Sequence, residues 1–120
     1  MKEIRLYLLE DNTLIQLLGG KYIYLVDKPE KEQTNTYIQY TYKPLGTGIV
    51  RDYQLEFNVI CKDLSKGLVI QDRLITLLDE VREIIKIDGI RTTKLLNGGG
   101  MVKNPETGNY HIVLYFLAKI

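Results

Sequence analysis

The stretch from Asp52 to Cys61 constrains the fold more than any other part of the chain. Tyr53, Leu55, Phe57, Val59 and Cys61 alternate with Asp52, Gln54, Glu56 and Asn58. A period of two is the spacing of a strand, whose successive side chains leave opposite faces of a sheet. The apolar row therefore faces a core, and the polar row faces water or a polar partner. Ile60 breaks the polar row near its end. So the chain contains a sheet with one covered face, and other segments must supply the cover.

Two segments have the periodicity to do so. In residues 2–18, Ile4, Leu8, Leu14, Ile15 and Leu18 fall near a 3.6-residue period, and Leu9 and Leu17 widen the stripe. Asp11-Asn12-Thr13 interrupts it. Both Asp11 and Asn12 can cap a new turn, so the pattern predicts a bent helix or two short ones, ended by Gly19-Gly20. Residues 64–86 predict a single long helix. Ile70, Leu74, Leu77, Leu78, Val81, Ile84 and Ile85 form its stripe, with Asp72, Arg73, Asp79, Glu80, Arg82 and Glu83 around the rest. At about 1.5 Å per residue it would run roughly 33 Å.

Further strands are predicted at residues 21–27, 36–42, 90–96 and 109–119, where β-branched and aromatic residues gather. Residues 28–35 and 43–48 read as loops from their polar, Pro and Gly content. Asn97-Gly98-Gly99-Gly100 predicts a kink or bulge, with the strand resuming over residues 101–103. Residues 104–108, Asn-Pro-Glu-Thr-Gly, predict a tight turn. The last strand is apolar on both faces, through Ile112, Val113, Leu114, Tyr115, Phe116 and Leu117. That marks a central strand, or one covered by helix on one face and a neighbouring subunit on the other. The order helix, three strands, helix, two strands gives an α+β fold. We expect one domain over residues 1–120, with a mostly antiparallel sheet of four to five strands and both helices on one face.

Composition narrows the function. Sixteen Lys and Arg against fifteen Asp and Glu leave a net charge of +1, which does not favour non-specific binding to nucleic acid or an anionic membrane. One Cys cannot form an internal disulfide, and one Cys with one His cannot complete a zinc site of N and S ligands. The start, Met1 to Arg5, lacks the apolar core of a signal peptide, and no apolar run has the roughly 18 residues of a membrane span. These features favour synthesis in a reducing cytosol and no membrane partner.

Candidate chemistry is sparse. His111 sits in the last strand with no motif to orient it as a base, so a structural or surface role is expected. Cys61 ends the inward row and reads as core. Gly98-Gly99-Gly100 lacks the Gly-Lys-Ser/Thr and following helix of a phosphate loop. Asp72, Asp79, Glu80 and Glu83 are interleaved with Arg73 and Arg82, the pattern of a solvated helix face. No cofactor or metal is expected. The nine tyrosines are more informative. Tyr22, Tyr24, Tyr37, Tyr40, Tyr42 and Tyr53 crowd the first three strands, with Tyr22 and Tyr24 on one face and Ile23 on the other. Both faces of the sheet are then partly apolar, which supports self-association through the sheet.

The order of these elements, with Asp-Asn-Thr-Leu-Ile-Gln-Leu-Leu-Gly-Gly at 11–20, Tyr-Ile-Gln-Tyr at 37–40, Gln-Leu-Glu-Phe-Asn-Val-Ile at 54–60 and Tyr-His-Ile-Val-Leu-Tyr-Phe at 110–116, resembles the small tail-completion, or tail terminator, proteins of long-tailed bacteriophages and prophages. The resemblance implies a non-enzymatic assembly protein, made in the host cytoplasm and placed at the head–tail junction of the virion. It implies a homo-oligomeric ring, usually a hexamer, whose partners are the tail tube protein and the head connector or completion protein. It carries over no individual functional residue. Segments projecting between paired strands are the expected interfaces: Lys43, Pro44, Leu45, Gly46, Thr47, Gly48 and Arg51 in one, and Gly98, Gly99, Gly100, Met101 and Lys103 in an arm over residues 97–108. Residues 86–120 carry a surplus of basic side chains, so a ring lumen there would suit DNA passing through without sequence recognition. The alternatives are a head-completion or connector-layer protein of the same particle, and a small oligomeric α+β ligand-binding or enzyme domain.

Overall fold

The computed structural model describes residues 2–26, 36–45, 52–79, 90 and 92–119. Its elements are α1 (Lys2–Leu9), α2 (Asn12–Leu18), β1 (Ile23–Leu25), β2 (Tyr37–Pro44), β3 (Asp52–Cys61), α3 (Leu64–Leu78), β4 (Thr92–Lys103) and β5 (Tyr110–Lys119). The five strands form one sheet in the order β1-β2-β3-β5-β4. All neighbours are antiparallel except β1 and β2. The α+β architecture and its element order are those expected from the sequence.

The alternating strand is β3, and it lies mid-sheet between β2 and β5. Leu55, Phe57 and Val59 are fully buried, while Gln54, Glu56 and Asn58 are half-buried on the other face. Ile60, which breaks the polar row, is also buried and lies in register with Tyr37 and His111. Phe57 is stacked on Tyr40 at 5.1 Å and meets Phe116 edge-on at 5.5 Å. Burial pushes the Tyr40 hydroxyl up to about 12. On β5, Ile112, Leu114, Phe116 and Ala118 complete the core row, and Val113, Tyr115 and Leu117 stay half-exposed. The last strand is thus interior, with the described helices over one face.

The N-terminal helical stretch is two helices, divided where Asp11 was expected to cap. Asp11 accepts the Leu14 amide at 2.9 Å as the N-cap of α2. The same carboxylate is gripped from α3: Arg73 Nε donates to one oxygen at 2.9 Å and a second guanidinium nitrogen donates to the other. The sequence reading left Arg73 on a solvated face. Instead it ties α3 to the start of α2, 62 residues apart in sequence.

The long helix is shorter than its apolar stripe. It ends at Leu78, and Asp79 leaves helical geometry with φ −87° and ψ 85°. Its 15 residues span about 22 Å rather than 33 Å. Residues 80–86, with Val81, Ile84 and Ile85, lie outside the described residues. Asp79 instead accepts the Leu95 amide at 3.1 Å, pinning the end of the helix to β4.

Gly67 sets the distance between α3 and the sheet. A Cβ there would collide with Cys61 Sγ and lie 2.9 Å from Ile112 Cδ1. Gly67→Ala gains up to about 1 kcal/mol of helix propensity but overpacks the core by about 1–3 kcal/mol. We expect a net loss, read as a lower urea midpoint at unchanged slope, with part of it restored by adding Cys61→Ala.

A second expectation concerns pH. The hydrogen bonds from Arg73 hold the Asp11 carboxyl below its ordinary 3.8. A folded pKa below the unfolded one adds stability above the unfolded value and loses it as pH falls through the folded value. Asn keeps the capping oxygen but not the charge. The stability gap between the unaltered chain and Asp11→Asn should therefore be full at neutral pH. It should close as pH falls below about 5, measured by denaturation at a series of pH values.

Candidate assembly surface

Two hairpins define the projecting parts of the sheet. β2 and β3 pair up to Pro44 and Tyr53, and Leu45 N continues the ladder to Asp52 O at 2.9 Å. Lys43, Pro44 and Leu45 are exposed at this end. Gly46, Thr47, Gly48 and Arg51 lie outside the described residues. The other hairpin, β4–β5, turns over residues 104–108. Asn104 N donates to Asn109 O and Gly108 N to Asn104 O, both at 2.8 Å, and the Asn104 side chain accepts the Glu106 amide at 2.9 Å. This is the tight turn expected from the sequence.

The supposed glycine arm is not a loop. Gly98, Gly99, Gly100, Met101 and Lys103 are residues of β4, and all but the bulged Gly99 are in register with β5. The register slips between Leu95 and Asn97 and again between Gly98 and Gly100, so the expected bulge is present within a continuous edge strand. Glycine at position 99 has a steric reason. A Cβ there would lie 2.8 Å from Val113 Cγ1 and 2.9 Å from Tyr115 Cε2.

The structure keeps the two groups of candidate residues apart. Pro44 aligns through Tyr53 with Ala118, while Lys103 aligns with Tyr110 and so with Cys61. Those levels are the two ends of β3, which spans about 30 Å at strand rise. Lys103 and Pro44 thus lie at opposite ends of the strands, while Gly98 and Gly100 lie mid-strand, level with Phe57 and Asn58.

Between them lies the sheet face on which none of the described helices packs. Tyr24 and Tyr37 meet edge-on there at 6.3 Å. Glu56 and Tyr115 face each other across strands, and the hydrogen bond to Glu56 holds the Tyr115 hydroxyl above its ordinary value. An open hollow of about 180 Å³ is lined by Thr41, Tyr42, Lys43, Gln54 and Glu56. That is below the roughly 300 Å³ at which small-molecule pockets begin. Lys43, Lys94 and Lys103 are exposed, and the Lys103 ammonium sits 5.4 Å from the Tyr110 ring.

The single His and Cys fall in structural positions. His111 is a half-buried strand residue in register with Ile60 and Val102. Cys61 is buried, and burial together with the charge of Asp63 pushes its thiol up, away from the thiolate a nucleophile needs. Among the described residues, no three His, Cys, Asp or Glu side chains converge to hold a metal. No helix there is long and apolar enough to cross a membrane. The sequence reading missed the bond from the Leu95 amide to Asp79, for which an isolated acid gives no signal. The extent of β4, by contrast, matches the expected strand over 90–96, the bulge at 97–100 and the resumption over 101–103.

No protein-family model and no curated protein matches the chain. Its fold is shared with a chain in a solved structure described as the virion of a native gene transfer agent particle. That match has a TM-score of 0.77 over 97% of this chain and 90% of the other, at 16% identity. The likeness is one of fold, and it extends over nearly the whole of both chains.

The steric reading of the bulge is testable. Gly99→Ala should cost about 1–3 kcal/mol by forcing Val113 and Tyr115 aside. Gly98→Ala, whose Cβ would have 3.9 Å to its nearest neighbour, should change stability by less than about 0.5 kcal/mol. Equal losses at both positions would contradict it.

Proposed function

We propose that this chain is a virion structural protein that forms an oligomeric ring at the head–tail junction, completing the tail tube and joining it to the head. The observation that carries this reading is the fold shared, end to end, with a chain of a virion particle. The order of elements that resembles tail-completion proteins points the same way. So does the geometry. A subunit with different surfaces at opposite ends of its strands is suited to head-to-tail contacts, which close into rings when the rotation closes.

In this reading the ring acts through protein contacts. One rim stops the tail tube protein from adding further subunits, and the other receives the head connector or completion protein. Exposed Lys43, Lys94 and Lys103 provide positive charge beside which DNA can pass without being read. The chain works without a cofactor, is made in the host cytoplasm and ends in the particle. A place in the connector layer of the head is the second reading. The same fold likeness favours it, because that structure is described as a whole virion.

The test is mass in solution, by light scattering after size exclusion, alone and with tail tubes polymerised from the tube protein of the same particle. A discrete ring that binds tube ends and halts their growth is the expected result. A ring that ignores tubes but binds purified connectors moves the chain to the connector layer. A monomer with no affinity for either overturns the proposal.

A further inference from the structure

The sheet has two outer edges, and among the described residues each is covered over only half its length. On the β4 side, the Leu95 amide is taken by Asp79 at the end of α3. From residue 96 to 103 no such cover is present among the described residues. Leu96, Met101 and Val102 there are 46%, 49% and 66% exposed. On the β2 side, β1 pairs with Ile38, Gln39 and Tyr40 only. Residues 41–45 are all exposed beyond it. The two uncovered halves lie at opposite ends of the strands, diagonally across the sheet.

An uncovered edge is a row of unpaired backbone donors and acceptors, a template for another strand. Natural edges are usually guarded by charge. Here the run from Leu95 to Val102 has none. The bulges and the triglycine give the edge its shape but leave it without guarding side chains.

Resting on the ring-forming reading above, we propose that a second copy of this chain covers the free half of β4 with residues 41–45 of its β2, in a staggered head-to-tail joint. Strand direction fits. β2, β3, β5 and β4 alternate in direction across the sheet. A copy placed beyond β4 without inversion presents β2 next, running antiparallel to β4, as the more stable ladder requires. Charge also fits. Two β4 strands paired symmetrically with Gly98 facing Gly99 would set Lys94 against Lys103 of the other copy, like charges opposed. In the staggered joint Thr41 faces Val102, Tyr42 faces Met101, and Lys43 faces Gly100, where no side chain opposes it. Tyr42 and Met101 are 44% and 49% exposed in the single chain and would bury each other. The required offset is the four residues between the Val113 level of Gly100 and the Leu117 level of Lys43. That is about 13 Å along the strands. A sheet that closes on itself needs such a stagger.

The test uses the full chain with paired cysteines, since buried Cys61 is withdrawn from exchange. The double variant Thr41→Cys with Val102→Cys, oxidised in dilute solution, should give a ladder of covalent multimers on a denaturing gel. Neither single variant should cross-link more than the unaltered chain. Met101→Lys with Val102→Lys should reduce the mass by light scattering to that of a monomer while leaving the thermal midpoint unchanged. If Val102→Cys alone gives dimers, the joint is symmetric and the proposal is wrong. If the unaltered chain forms rings but the double variant gives no ladder, the staggered joint fails while the ring reading stands. If the unaltered chain is monomeric at every concentration and on tail tubes, both fail.

Discussion

The packing of Phe57 against Tyr40 and Phe116 is what the remaining structure is arranged around. Three rings from three adjacent strands, one stacked pair and one edge-on pair, form the middle of the core. They can meet only if β2, β3 and β5 hold their register, because a slip of one residue turns every ring to the opposite face. Register in turn fixes where the helices lie. α3 comes down on the sheet at Gly67, against Cys61 and Ile112, and Arg73 then reaches Asp11 to set α2. Core, helix position and the capping of the N-terminal helices are links of one chain of contacts.

Much of this was legible because it is periodic. The row Leu55-Phe57-Val59, the double-faced last strand, the break at Asp11 and the turn at residues 104–108 are local patterns whose physics is local. What was not legible depends on distance or on what a pattern meets. The apolar stripe runs on past Leu78, yet Asp79 leaves helical geometry and its carboxylate accepts the Leu95 amide. Arg73 has the look of a surface residue until Asp11 is placed beside it. The triglycine marks a bulge in a strand, and only the pairing order shows that this strand is the edge of the sheet. The candidate interface was the least legible part. No residue type marks an uncovered edge, and half of the proposed residue set became informative only through its level in the sheet.

The functional reading draws together observations of different kinds. The fold is shared with a chain of a virion particle at 16% identity, a degree of divergence at which contacts between subunits need not be conserved residue by residue. Among the described residues the thiol is buried, the imidazole is a strand residue, and the hollow beside Tyr42 and Glu56 is small and open. What the chain offers in quantity is backbone edge and tyrosine-bearing sheet. These are materials for assembly, and they sit at the ends and edges rather than in a cleft.

Because the helices among the described residues lie on one face of a single sheet, copies joined in the same sense form a wall whose two skins differ. One skin is helical and carries the ion pair of Asp11 and Arg73. The other is a strand face carrying Glu56, Tyr115 and the tyrosine pair. The inside and outside of such a wall are therefore chemically distinct without any second protein. Surface changes confined to one skin would alter what lies within the bore or what surrounds it, leaving the seams between copies untouched.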